Sequence, residues 1–244
     1  MTALRKLTWI ELKLFAREPF SLVFTFGFPL VVLTVLTASF QPGDEAFGDA
    51  MPADYYLASY VGVVIGAFGL IILPAHLAAY RERGILRRFR ASSVPASSAL
   101  GSQLAVGLAV ATLASALLVV VGTLAYDAQL PVQVGLTVLG FLLAAASFMA
   151  LGLLLATLLP GARAAQAVGM ILFFPMWLLS GAGPPPEIMG ATMRGVSDAM
   201  PLTWAVQAVQ SPWLGEDLSA TSMLLLAAML LVAGAVAIRR FRSA

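Results

Sequence analysis

The sequence holds no cysteine, a single histidine and very little charge: Asp, Glu, Lys and Arg fill only 11% of its 244 positions. Without cysteine it can build neither a disulfide framework nor a thiolate metal site, and His76 alone cannot assemble a metal centre. Charge this sparse cannot cover a soluble surface, where about a quarter of residues are charged. The formal net charge of +2 is too small for a surface that neutralises phosphates, which argues against a nucleic-acid partner. No glycine-rich loop followed by Lys and Ser or Thr is present, and the lysines, Lys6 and Lys13, lie in a segment without glycine. Any nucleotide must therefore be bound by another polypeptide. Ser and Thr are scattered without His and carboxylate at matching depth, and no paired acids lie within an apolar run, so neither a hydrolase triad nor an aspartyl dyad is indicated.

What is present is apolar. Hydrophobic residues make up 60% of the chain and the mean hydropathy is +0.94. Roughly twenty apolar residues cross a ~30 Å hydrocarbon core as a helix. Six uncharged stretches meet that length, at residues 20–40, 55–79, 99–126, 132–159, 164–182 and 218–238. The first is too long, and too regularly followed by others, for a signal peptide, and is read as a retained helix. The expected fold is an all-α membrane protein of six transmembrane helices forming one domain over residues 1–244. An N-terminal start inside the cell places every basic residue but Arg194 on the cytoplasmic side. It places every acid but Glu11, Glu18 and Glu82 outside, as the positive-inside rule favours. Both termini are then cytoplasmic. None of the six stretches holds an acid, lysine or arginine, which argues against a proton-coupled carrier or a voltage sensor. His76, near the cytoplasmic end of its helix, reads as a packed or interfacial residue, with proton relay as the alternative.

Four segments lie outside the spans: residues 1–19, a cytoplasmic loop at 80–98, an acidic external loop at 41–54 and an external segment at 183–217. Residues 3–18 are amphipathic: Leu4, Leu7, Ile10, Leu14 and Phe15 share one face, and Arg5, Lys6, Lys13 and Arg17 the other. This predicts a helix lying in the inner headgroup layer, with Trp9, Glu11, Lys13, Arg17 and Glu18 as its marked residues. Glu11 and Glu18 fall on the apolar arc, which suggests that this face meets basic protein groups such as Arg87, Arg88 or Arg90. In YRERGILRRFRASSVPASS, Gly84 permits a turn, residues 85–90 can form a short basic helix, and Pro95 ends it. The alternative is that its arginines only orient the chain. Residues 183–217 are too apolar for an ordinary loop and too interrupted to span. Pro184, Pro185 and Pro186 break the fifth helix, Pro201 starts a short one through Leu202 and Trp204, and Pro212 ends it, giving two short helices that dip into the outer leaflet as a re-entrant hairpin. The spacing Gly62-x-x-x-Gly66 allows close helix packing, more simply within one subunit than between two.

The stretches ELKLFAREP, Phe28-Pro29, RERGILRRFRASSVPAS and LLSGAGPPPEIMGATMRGVSDAMPLTWAVQAV together resemble the permease subunit of type-2 ATP-binding-cassette (ABC-2) exporters, the group that includes daunorubicin and multidrug-resistance permeases. The resemblance covers essentially the whole chain, although the family often has proline where this chain has Gly190. It implies that the cytoplasmic loop docks on a separate ATPase subunit through Arg81, Glu82, Arg83, Gly84, Leu86, Arg87 and Pro95, with the N-terminal helix as a second contact. It also implies a complex of two ATPase subunits, which hold ATP and Mg, and two permease chains, identical or paralogous, in the bilayer. By position in the family's architecture, Phe24, Phe28, Phe173, Phe174, Met176 and Trp177 become wall or gate residues of the substrate route, with core packing as the alternative. Pro184, Pro201, Leu202 and Trp204 belong to an external lid.

The expected function is that of the membrane subunit of an exporter for hydrophobic or amphipathic compounds, such as drugs, antibiotics or lipid-like molecules, in a bacterial inner membrane. It would have no catalytic residue or cofactor of its own. The alternatives are a polysaccharide or glycolipid export permease and a channel or structural subunit that uses no ATP.

Overall fold

The computed structural model describes residues 2–41, 43–48, 50–84 and 96–243. Among them the regular structure is helical. Helix α1 (Thr2–Phe15) is followed by α2 (Pro19–Ser39), α3 (Pro52–Glu82), α4 (Ala96–Tyr126), α5 (Val134–Leu158) and α6 (Ala162–Leu179). The shorter α7 (Ala191–Asp198) and α8 (Pro201–Leu214) precede α9 (Ala220–Ser243). Six of these, α2 to α6 and α9, are long and apolar enough to cross a membrane. Their ends gather charge into two groups: Arg81, Glu82 and Arg163 at a basic end shared with α1, and Asp54, Asp127, Glu187 and Glu216 at an acidic end. Several helices run past the uncharged stretches, so that Asp54, Arg81 and Glu82 lie within α3.

α3 is the axis of the molecule. Its most apolar window is 89% buried, against 22% for α2, 17% for α6 and 22% for α9. Lipid and protein interior are equally apolar, so helices associate in the bilayer through close packing rather than a hydrophobic difference. α3 achieves this with glycine. A Cβ on Gly62 would stand 2.9 Å from the Val206 Cα, and one on Gly66 would overlap Leu202. Both contacts lie on α8, and their order along the two helices sets α8 antiparallel to α3. The Gly62-x-x-x-Gly66 spacing thus serves an intramolecular contact. Further along, Gly69 meets the Phe148 backbone of α5, and Gly169 of α6 meets the Leu70 carbonyl.

α8 lies inside the bundle, against α3, α5 and α9. Its contact at Gly66 falls fourteen residues along α3 from Pro52, roughly 20 Å at 1.5 Å per residue. Two local expectations are corrected. α6 ends at Leu179, and a turn at Gly181 (φ +83°) reverses the chain before the proline triplet is reached. Pro212 does not end α8: it sits within the last turn, and Gly215 (φ +86°) terminates the helix in the left-handed region that glycine adopts without strain. α5 and α9 are tied by Ser147, whose buried Oγ donates to its own helix at Leu143 and lies 2.8 Å from the Leu226 carbonyl oxygen.

Wide π-helical turns interrupt α2 at Val23–Gly27 and α3 at Phe68–Ile72, each two residues before a proline, Pro29 and Pro74. A proline inside a helix lacks the N–H and its ring collides with the carbonyl four residues back. The added residue in the turn moves that carbonyl away, so both helices continue past their prolines.

Candidate functional site

At the basic end, three polar ties converge on the last turns of α3. Arg81 donates from Nη1 to the carbonyls of Ala156 (2.9 Å) and Thr157 (3.3 Å), and from Nη2 to Leu159. The last carbonyls of a helix have no partner within it and carry the negative end of its dipole. One guanidinium therefore satisfies the C-terminus of α5 and fixes it to α3. Beside it, a Cβ on Gly161 would overlap the Glu82 carboxylate, so Gly161 lets the turn between α5 and α6 close on the same end of α3.

The other two ties come from α1 and the start of α2. Glu11 is buried and accepts a hydrogen bond from the Tyr80 hydroxyl. Glu18 Oε2 lies 2.7 Å from His76 Nε2 and accepts from Ser21 Oγ at 3.2 Å. Glu11 and Glu18 stand two turns apart on their segment, and Tyr80 and His76 one turn apart on α3. Among the described residues the acids on the apolar arc meet a phenol and an imidazole of α3; Arg87, Arg88 and Arg90 lie outside the described residues. Ser, His and Glu here form no hydrolase triad, because Glu18 and Ser21 face the same nitrogen, Nε2. A base needs that nitrogen free while the carboxylate holds the other.

The buried face of α1 is also narrower than its apolar stripe. Phe15 is buried, whereas Ile10 and Leu14 are exposed together with Trp9. This leaves α1 fixed to α4 and α3 on one side, with an apolar edge on the other. Lys13 Nζ sits 5.1 Å from the Trp9 ring centroid, a cation–π contact, and Arg17 is exposed. Of the residues marked for ATPase contact, Arg81, Glu82, Arg83 and Gly84 fall at the root of the loop. Arg83 is exposed, and Gly84, at φ +67°, turns the chain out of α3. Leu86, Arg87 and Pro95 lie outside the described residues.

A second constellation joins α2 to α6. Phe28 is in edge contact with Phe173, Phe174 and Trp177 at centroid distances of 6.1, 6.2 and 5.4 Å. Phe24 extends the seam to Phe174 at 6.5 Å. Phe173 is wholly buried and Phe174 is 38% exposed, so one is core and the other faces outward. Met176 is partly buried against the core. Trp177 donates to Tyr60 Oη at 3.0 Å, which anchors the seam to α3. Tyr60, like Tyr80 and Gly161, was not singled out in the sequence. Its depth in the second apolar run, where a hydroxyl needs a partner, was the available signal.

Of the residues marked as a lid, Pro201, Leu202 and Trp204 share the first turn of α8. Pro201 begins α8 and Leu202 is fully buried on Gly66. Trp204 donates to the Asp198 carbonyl at 2.7 Å, closing α7 on α8. Pro184 adjoins Gly183, whose carbonyl accepts from Tyr56 Oη at 3.2 Å.

Among the described residues no group of three or more metal-ligating side chains occurs. No curated protein matches the chain. The family model of the ABC-2 type transporter matches residues 2–213, from α1 through nearly the whole of α8. That match takes in the clamp on α5, the aromatic seam and the buried α8 together. The chain belongs to the ABC-2 type transporter family, as a membrane-spanning permease subunit of the kind that associates with an ABC ATPase.

Proposed function

We propose that the chain is half of the membrane pathway of an ATP-driven exporter that moves hydrophobic or amphipathic compounds, such as drugs, antibiotics or lipid-like molecules, out of the cell. ATP and Mg are held by two separate ATPase subunits, and a second permease chain, identical or paralogous, completes the route. The distribution of charge supports a basic end in the cytoplasm of a bacterial cell, with both termini there and the acidic end outside.

The observation that carries the coupling role is the convergence of α1, α5 and the turn before α6 on the last two turns of α3. A force applied to the loop after Gly84 enters α3, and Arg81, Tyr80 and His76 pass it to three neighbours. The π-helical turns before Pro29 and Pro74 supply places where α2 and α3 can bend, since such turns leave backbone hydrogen bonds weaker than in an α-helix. The seam from Phe24 to Trp177 supports a route that accepts varied apolar shapes, because aromatic walls present large apolar area with few polar demands.

Reconstitution of the permease with its ATPase subunit tests this reading. Replacing Arg81, Glu82 and Gly84 together is expected to abolish stimulation of ATP hydrolysis by transported compound. Stimulation equal to wild type would reject the coupling role.

A further inference from the structure

A cavity of about 770 Å³ opens at the acidic end, between the start of α3, the turn from α4 to α5 and the last turns of α8. Its volume is that of a pocket for a drug-sized molecule. Its floor is aromatic: Phe47, Tyr55 and Trp213 all line it, and all are buried. Tyr55 and Trp213 are held in place by polar contacts at their edges, and Phe47 packs edge-on against Tyr55 at 5.2 Å. Tyr55 donates to the Gly181 carbonyl at 3.0 Å and Trp213 to the Gln129 carbonyl at 3.1 Å. Gln210 is pinned by Ser59 at 2.7 Å and Gln207 by Ser222 at 2.7 Å, so the amides in the wall are fixed as well. These contacts cross between α3, α8, α9 and the connecting turns, and the hollow is therefore built by the fold.

The rim of this hollow carries charge of one sign. Glu45, Asp54, Glu187 and Glu216 line it, and among the described residues no Lys, Arg or His does. Asp54 accepts from the Gln129 backbone N–H at 2.6 Å. Among the described residues no cation pairs with Glu45, Glu187 or Glu216: the one ion pair is His76 with Glu18, at the opposite end. The single basic residue of the acidic end, Arg194, donates to the backbone carbonyls of Glu187 and Met189 rather than to a carboxylate. Uncompensated carboxylates around a concave, partly desolvated wall focus a negative potential into it. Apolar side chains at the floor favour a ligand that carries its positive charge on an organic body, which can bury apolar area there. A bare metal ion suits the site poorly, because the carboxylates are not grouped at ligating distance.

We infer that this cavity is a binding site for drug-sized organic cations, with Glu45, Glu187 and Glu216 supplying the charge and Phe47, Tyr55 and Trp213 the apolar surface. The site is separate from the basic-end clamp and from the seam of α2 and α6. Binding to it needs neither nucleotide nor a partner subunit, so its test does not depend on the transport reading above, and failure of one leaves the other standing.

The experiment is equilibrium binding to the purified full chain in lipid nanodiscs, with empty nanodiscs subtracted. The probes are tetraphenylphosphonium and tetraphenylborate, which share a shape and differ in the sign of their charge. Saturable binding of the cation is expected, at least ten-fold tighter than any saturable binding of the anion. Glu45→Gln, Glu187→Gln and Glu216→Gln combined should weaken the cation at least ten-fold. All three side chains are exposed, and the amides keep their shape. Asp217→Asn removes a nearby acid that does not line the cavity and should change binding by less than two-fold. No saturable cation binding, equal affinity for the two probes, full retention in the triple variant, or a loss in Asp217→Asn as large as in the triple variant would each overturn the proposal.

Discussion

The guanidinium of Arg81 donates to the carbonyl oxygens of Ala156 and Leu159 and so closes the last turn of α5 from a neighbouring helix. Charge-assisted bonds of this kind contribute about 1.5–3 kcal/mol each. Arg81→Ala should lower the unfolding temperature of the purified chain by several degrees, and Arg81→Lys, which cannot fork across two carbonyls, by less. Arg83→Ala removes an exposed neighbour and should leave it unchanged. Thermal unfolding followed by tryptophan fluorescence in detergent checks all three.

Buried Glu11 and half-buried Tyr80 form a pair between α1 and α3. Removing either partner strands the other, at about 1–3 kcal/mol. Tyr80→Phe and Glu11→Ala should each destabilise the chain, and the double variant should cost less than the sum of the two. A double-mutant cycle that adds without coupling would show that the bond contributes nothing.

Gly140 and Gly161 are crowded by different kinds of atom, and this gives an ordered prediction. A Cβ on Gly140 would strike the Ala208 carbonyl of α8, a backbone atom, whereas one on Gly161 would meet the end of the Glu82 side chain. Gly140→Ala should therefore sharply reduce folded protein, because α8 must shift as a whole. Gly161→Ala should be tolerated, with Glu82 turning aside. Yield and monodispersity by size-exclusion chromatography distinguish the two.

Phe173 and Phe174 adjoin in sequence and differ in burial. Phe173→Ala should destabilise by about 3–5 kcal/mol, the cost of emptying a packed aromatic site. Phe174→Ala should leave stability nearly unchanged and alter which compounds are exported, if the seam borders the route. Unfolding temperature and a transport profile measured on the same preparations separate packing from passage.

The six spans were legible because an uncharged run of twenty residues has few other uses, and α1 because its charges fall on one face. That α3 is the core while α2, α6 and α9 face outward was not legible from hydropathy, since all six runs are apolar. The signal was the small residues: Gly62, Gly66 and Gly69 sit in the buried helix. The ends of α6 and α8 were misread through proline. At Pro184 the chain had already turned at Gly181, and Pro212 fits inside a helix whose stop is Gly215. Arg81 drew attention as part of a basic loop, but its partners are backbone carbonyls, which every helix end offers and no sequence marks. Glu11 and Glu18 were visible as misplaced acids, whereas their described partners, Tyr80 and His76, carried no such signal.

Everything proposed for the loop after Gly84 requires the basic end to face the cell interior. The chain lacks cysteine, so single cysteines can be placed without background. Arg83→Cys and Asp217→Cys, in intact cells, should react oppositely with a membrane-impermeant maleimide: position 217 labelled at once, position 83 only after the membrane is opened. Labelling of position 83 in sealed cells, with position 217 protected, would contradict the orientation and the docking of an ATPase at that end.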